Sequence, residues 1–406
     1  MSEWNPPRFN ASCFVNPRLS PAETSLAAAA PGVVDEEGFA RAVAEITRWP
    51  DYRPTPLVPL PGLAKTLGIG RLYYKDESGR FGLGAFKALG GAYAVLRHLQ
   101  NVLGDEVTAA DLVAGKYRAR TSGITVTAAT DGNHGKAVAW GARLFGCRAV
   151  IYLHQDVSEG RAQAIAAYGA EIRRIADNYD ASVRACATDA AENGWQVISD
   201  TSWDGYQDVP RHVMHGYGVM LKEMLDQIPR GEELTHVFIQ AGVGGLPAAV
   251  AGYLWLELDA LRPKIVVVEP EKAACHYASA EAGHPVTVTG KLDTLMAGLA
   301  CGEVSPLAWR LLDAAGFAFL KIPDDAAIFA MKTLAAGQSD DPPIVGGEAG
   351  VGGLAGLIAA AGDAEIKDSL LLTGQSRVLV IGSEGATDPV LYRQWVGRKP
   401  EDVLAA

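Results

Sequence analysis

Ile124-Thr125-Val126-Thr127-Ala128-Ala129-Thr130-Asp131-Gly132-Asn133-His134-Gly135 is the stretch on which the fold turns. Its first six residues carry no charge and are rich in β-branched side chains, the pattern of a strand buried on both faces. The Thr-Asp-Gly-Asn that follows is turn chemistry, and Lys136 to Phe145 continues at helical spacing. A buried strand running through a glycine turn into a helix is half of a βαβ unit. The same order recurs along the chain. Strands are expected at 148–153, 171–175 and 195–199, with helices at 161–168 and 179–192, and further short apolar strands at 236–240, 264–268 and 377–381. This alternation starts at Arg71. It predicts an α/β protein of two doubly wound open-sheet domains, mostly parallel strands with helices on both faces. Residues 1–75 and 208–406 are assigned to a large domain and 76–207 to a smaller one, with a seam at Asp208-Val-Pro-Arg-His. One amphipathic helix is expected at 38–49, with Phe39, Val43 and Ile46 on its apolar face.

Composition narrows the function. The chain has 406 residues and a net charge of −11, an unfavourable balance for nucleic acid or an anionic membrane. The N-terminus lacks the basic-then-apolar order of a secretory signal, and no run is long and apolar enough for a membrane span. A cytoplasmic protein is expected. Five cysteines form no C-x-x-C pair and no zinc spacing, so no metal site is expected and the thiols should be reduced. Cys275 and Cys301 are the pair that could bridge.

Four further features carry chemistry. Lys87 closes Phe81-Gly82-Leu83-Gly84-Ala85-Phe86-Lys87 and precedes Gly90 and Gly91, so it either points inward or is a solvated lysine at a helix start. A lysine removed from water loses preference for its charged form, and a neutral amine attacks carbonyls. The turn Asp131 to Gly135 either binds an anion or is a capped helix start. Gly242-Val243-Gly244-Gly245 follows a strand and opens a helix, a nest for phosphate. Lacking a following Lys-Ser/Thr, it is not a nucleotide P-loop, although Glu269 after the next strand keeps a dinucleotide reading open. Ser199-Asp200-Thr201-Ser202-Trp203-Asp204-Gly205-Tyr206 places a possible general base, Asp200, beside two aromatics expected to be buried. Ser383, after the last strand, offers a hydroxyl or merely a tight turn.

In order along the chain, these features resemble the fold-type II pyridoxal-phosphate enzymes, the group of the threonine and serine dehydratases and tryptophan synthase β. The likeness covers residues 55–390. It implies that Lys87 carries pyridoxal 5'-phosphate covalently, with Phe86 against the ring and Asn133 on its phenolic oxygen. Gly242, Val243, Gly244 and Gly245 would hold the phosphate, and Ser383 would meet the ring nitrogen. Hydroxyamino acid dehydratases usually read Ser-Phe-Lys and Ser/Ala-Gly-Asn-His at two of these places, where this chain has Ala85 and Asp131. That departure argues against a plain threonine dehydratase; within the group, residues 80–87, 129–135 and 199–206 resemble ammonia-lyases acting on 2,3-diaminopropionate, whose β-ammonium would suit an acidic site. Asp131 and Asp200 would then serve as bases for opposite isomers. Gly132, His134 and Gly135 would join Asp131 in binding substrate, and a homodimer is implied. A serine/threonine dehydratase or β-replacement enzyme of the same fold is the alternative. From another class, the alternative is a non-catalytic nucleotide- or dinucleotide-binding protein.

Overall fold

A computed structural model describes residues 6–130, 132–177 and 179–405. Eleven strands are present among the described residues: β1 Ser12–Val15, β2 Leu57–Pro59, β3 Arg71–Asp76, β4 Thr125–Ala129, β5 Arg148–His154, β6 Glu171–Ile175, β7 Gln196–Val197, β8 His236–Gln240, β9 Lys264–Pro270, β10 Gly316–Ile322 and β11 Arg377–Gly382. They form a seven-stranded sheet in the order β1-β10-β9-β8-β11-β3-β2 and a four-stranded sheet in the order β6-β5-β4-β7. The smaller sheet is parallel throughout. In the larger one the five central strands are parallel, and β1 and β2 close the edges antiparallel. The strand pattern read around Ile124 is therefore the architecture of the molecule, with fully buried β8 as its clearest case.

The chain divides into two compact units, one of residues 1–35, 54–84 and 220–406, the other of 36–53 and 85–219. These limits differ from the sequence assignment at three places. Residues 36–53 carry the Glu36–Ile46 helix, whose buried face is Phe39, Ala42 and Ile46 rather than Phe39, Val43 and Ile46. They belong with the smaller unit, where Phe39 meets His215 edge-on at 5.1 Å and Trp49 meets Phe145 at 5.4 Å. Residues 76–84 stay with the larger unit because Glu77 and Arg80 are tied into its interior. The expected seam at Asp208 is instead the start of one helix, Asp208–Gln227, and the division falls within it at Val219/Met220. Pro210 sits in its first turn, where a missing N–H has no intrahelical partner to lose.

Within the larger unit, a buried cluster of charge underlies the chain leading to Lys87. Arg80, 1% exposed, donates to Glu77 at 2.8 Å and to Glu223 at 2.7 Å. Lys75 Nζ donates to Glu223 Oε2 at 2.8 Å and to the Thr55 carbonyl at 2.6 Å. Two cations and two carboxylates thus leave water together, which is tolerable only with this degree of mutual bonding. Burial opposes ionisation of Glu223, but Arg80 and Lys75 outweigh it and hold its carboxyl below the ordinary value.

In the smaller unit, glycines bring helices close. A Cβ on Gly141 would lie 2.7 Å from Ala92 Cα, and one on Gly91 would lie 3.0 Å from Ala137 Cβ, so the Ala88–Leu103 and Asn133–Phe145 helices pack almost backbone to backbone. Gly216 likewise admits the Leu89 carbonyl, and Gly90 lies against Val213 and Tyr217. The glycine pair after Lys87 is therefore helix-packing chemistry that fixes the helix Lys87 begins.

Candidate active site

Lys87 occupies the N-cap of the Ala88–Leu103 helix, and its Nζ lies 2.6 Å from Asp200 Oδ2. The lysine side chain is 25% exposed and the aspartate 23%, so the pair is half-buried rather than sealed, between the inward and the solvated lysine. Phe86 packs on Tyr217 with ring centroids 4.6 Å apart, and the Lys87 ammonium stands 5.3 Å from the Phe86 ring centre. The Tyr217 hydroxyl is buried on the Lys87 side of the ring pair. Burial pushes its phenol up to about 12, partly offset by Lys87.

Asp200 sits on a well-built turn. The Tyr206 hydroxyl donates to the Val197 carbonyl at 2.7 Å and accepts from Ser199 N–H at 3.0 Å, clamping the chain on either side of Ile198. Trp203 stacks flat on Tyr206, centroids 3.9 Å apart, yet is 44% exposed. The expected burial of both aromatics fails for Trp203, because stacking covers one ring face and leaves the other to solvent. Burial opposes the charge on Asp200. The Lys87 ammonium and His134 outweigh it and hold the carboxyl well below the usual carboxylate range.

The Asp131 turn is reached from β4. Asp131 itself lies outside the described residues. Thr130 Oγ1 accepts from Gly132 N–H at 3.0 Å and Gly135 N–H at 3.2 Å, so the threonine supplies the helix cap. Two of the N–H groups assigned to a substrate carboxylate, those of Gly132 and Gly135, therefore already have a partner. Gly132 has φ +155, a conformation that favours glycine. His134 is buried, its Nε2 lies 2.8 Å from the Ile198 carbonyl, and its Nδ1 lies 3.8 Å from Asp200 Oδ2. With Nε2 donating to that carbonyl, Nδ1 presents its lone pair toward the Lys87–Asp200 pair, and burial lowers the ring's proton affinity.

In the larger unit, β8 runs into the Gly242–Gly245 turn, and Gly244, at φ +102, caps the Gly245–Leu258 helix. The Val243 carbonyl accepts from Ser305 N–H at 2.8 Å, fixing the turn from outside. The free N–H groups of a helix start and the macrodipole favour an anion here. Gln240, the last residue of β8, ties this turn to the Ser383 loop. Its Nε2 donates to the Ile381 carbonyl at 3.0 Å and to Ser383 Oγ at 2.7 Å, and its Oε1 accepts from Gly353 N–H at 3.2 Å. Because Ser383 Oγ already accepts, its own proton is left to donate to a ligand acceptor such as an unprotonated ring nitrogen. These features fit a pyridine ring bearing a phosphate: an anion nest at a helix start and a buried hydroxyl poised to donate, both in one unit. Gln240 carried no role in the sequence reading, since a buried amide at a strand end shows its network only in three dimensions. Tyr217 was missed for the same reason.

A family model for pyridoxal-phosphate dependent enzymes matches residues 48–383. Diaminopropionate ammonia-lyase of Escherichia coli K12 is 39% identical over 373 residues, 86% of this chain and 88% of that protein. Crystal structures of the Escherichia coli enzyme superpose closely. The complex with D-serine gives a TM-score of 0.86 at 35% identity, covering 96% of this chain and 97% of that one. The complex with an aminoacrylate-PLP azomethine reaction intermediate gives 0.85 at 35% identity, with the same coverage. The chain belongs to the pyridoxal-phosphate dependent enzyme family.

Proposed function

We propose that this enzyme eliminates ammonia from 2,3-diaminopropionate, giving pyruvate and a second ammonia after hydrolysis, and that it accepts both D and L isomers. The observation that carries the reading is the Lys87–Asp200 pair, an amine and a carboxylate 2.6 Å apart, the carboxyl held toward its charged form by the lysine. The family cofactor, when bound, supplies an electron-withdrawing ring that acidifies the substrate Cα proton. The protein's part is to hold and move protons around it. Lys87 carries the cofactor and, once released, shuttles a proton. Asp200 accepts the Cα proton of one isomer, and Asp131 that of the other. An acidic pair also attracts the substrate β-ammonium, which a serine hydroxyl cannot match.

The remaining assignments belong to the same proposal. Lys87 is the reactive lysine, and Gly242, Val243, Gly244 and Gly245 hold the phosphate. Ser383 donates to the ring nitrogen, Phe86 packs against the ring and Asn133 bonds its phenolic oxygen. Asp131, Gly132, His134 and Gly135 shape the substrate site. A cytoplasmic homodimer is part of this reading, favoured by the family likeness; no helix among the described residues is long and apolar enough to cross a membrane. The test is a comparison of purified enzyme on D- and L-2,3-diaminopropionate and on D- and L-serine, with pyruvate and ammonia assayed. Faster turnover of serine than of either diamino acid would replace the reading with a dehydratase.

A further inference from the structure

His276 stands behind the reading so far and is used by none of it. It lies in the second position of the Cys275–Ala282 helix and is fully buried. Its Nδ1 is 2.9 Å from Glu269 Oε1, at the end of β9. The same carboxylate accepts from the backbone N–H of His276 at 2.8 Å and of Tyr277 at 2.7 Å. Glu269 is thereby locked, and it fixes the imidazole tautomer with the proton on Nδ1. That leaves Nε2, which has no hydrogen-bond partner among the described residues. It is aimed at the glycine turn: a Cβ on Gly244 would overlap His276 Nε2. Cys275 Sγ, 3.6 Å from both Glu269 Oε1 and His276 Nδ1, lies on the opposite edge of the ring and does not reach Nε2.

An unpartnered ring nitrogen in a dry interior costs free energy unless something bonds to it. Here it lies against the start of a fourteen-residue helix whose N–H groups suit an anion. We propose that His276 is a phosphate ligand of the cofactor, its Nε2 sharing one proton with a phosphate oxygen while Glu269 holds the ring from the other side. No redox or bond-breaking step is involved, since the shared proton comes from the phosphate monoanion or from solvent. The inference rests on the Gly242–Gly245 turn being the phosphate site. It also gives Gly244 a second reason to be glycine, because any side chain there would displace the imidazole. Glu269, which the sequence left open as a ribose partner, becomes the residue that orients a phosphate ligand.

The experiment compares binding of pyridoxal 5'-phosphate and of phosphate-free pyridoxal to apoenzyme, by absorbance titration, for His276→Asn and His276→Gln. Circular dichroism and thermal melting of each apoprotein show that it folds. Asn keeps a group near Nδ1 and loses Nε2, whereas the longer Gln amide reaches toward the Nε2 position. His276→Asn should weaken pyridoxal 5'-phosphate binding by roughly 10- to 100-fold, the range of a hydrogen bond to a charged group. Pyridoxal binding should change less than about threefold, and His276→Gln should recover part of the loss. Equal weakening of both ligands would overturn the proposal in favour of a packing role, and so would an unchanged phosphate affinity. Gly242→Val, tested alongside, separates the two levels. If it leaves the preference for the phosphorylated ligand intact, the phosphate-turn reading itself has failed; if it abolishes the preference while His276→Asn does not, only the histidine assignment has.

Discussion

Replacing Asp200 by asparagine removes one charge from a pair built around it. The amide keeps the size of the side chain and can still meet Lys87 Nζ, 2.6 Å away, so the Tyr206-clamped turn should hold its shape. What disappears is a carboxylate whose charge burial opposes and the Lys87 ammonium favours. A positioned base contributes about 10²- to 10⁴-fold to proton abstraction. For the isomer whose Cα proton Asp200 takes, kcat should fall by that span, equivalent to about 3–5 kcal/mol in the barrier. For the other isomer the proton goes to Asp131, and the loss should stay within about tenfold, reflecting weaker attraction of the β-ammonium and therefore seen mainly in KM. Asp131→Asn should show the mirror image. Steady-state pyruvate release from separate D and L substrates measures all four values. Equal losses for both isomers in both variants would refute two-sided proton abstraction and leave Asp200 as an electrostatic partner of Lys87.

Two predictions concern stability. Arg80→Met leaves Glu77 and Glu223 buried with Lys75 as the remaining cation, and removing one partner of such a cluster typically costs about 3–5 kcal/mol. Urea unfolding of the apoprotein reads this directly, and a loss below about 1 kcal/mol would mean the cluster is not fully desolvated. His236, buried with Nε2 against the Leu370 carbonyl, is lowered by burial to about 4. Below about pH 6.5 the unfolded chain takes up a proton that the folded one refuses until about pH 4. Stability should therefore fall as pH drops through that window, by about 3 kcal/mol from this residue, and no further below it. His236→Gln keeps a donor for the carbonyl and should flatten that slope; an unchanged slope assigns the proton uptake elsewhere.

The parallel architecture was legible because strands buried on both faces cannot avoid long apolar runs, and β4, β5, β8, β9 and β11 all show them. β1 escaped because a four-residue edge strand pairs on one side only and needs no such run. β10 was hidden by Gly316 and Lys321, which break its apolar pattern at the ends. The seam at Asp208 misled because proline and charge cluster equally at helix starts and at linkers. At the site, Lys87, Asp200 and the glycine turns announce themselves, since their residue types are rare in those positions without a chemical reason. Gln240, Tyr217 and His276 do not. Each looks like ordinary core until its surroundings are seen, and for His276 what marks it is a bond left unmade.

Borohydride reduction of the loaded enzyme, followed by peptide mass mapping, tests the central claim most directly. The account predicts a single reduced pyridoxyl-phosphate adduct on the peptide bearing Lys87, and none in Lys87→Ala. An adduct on another lysine, or fully loaded enzyme that yields none, would contradict it.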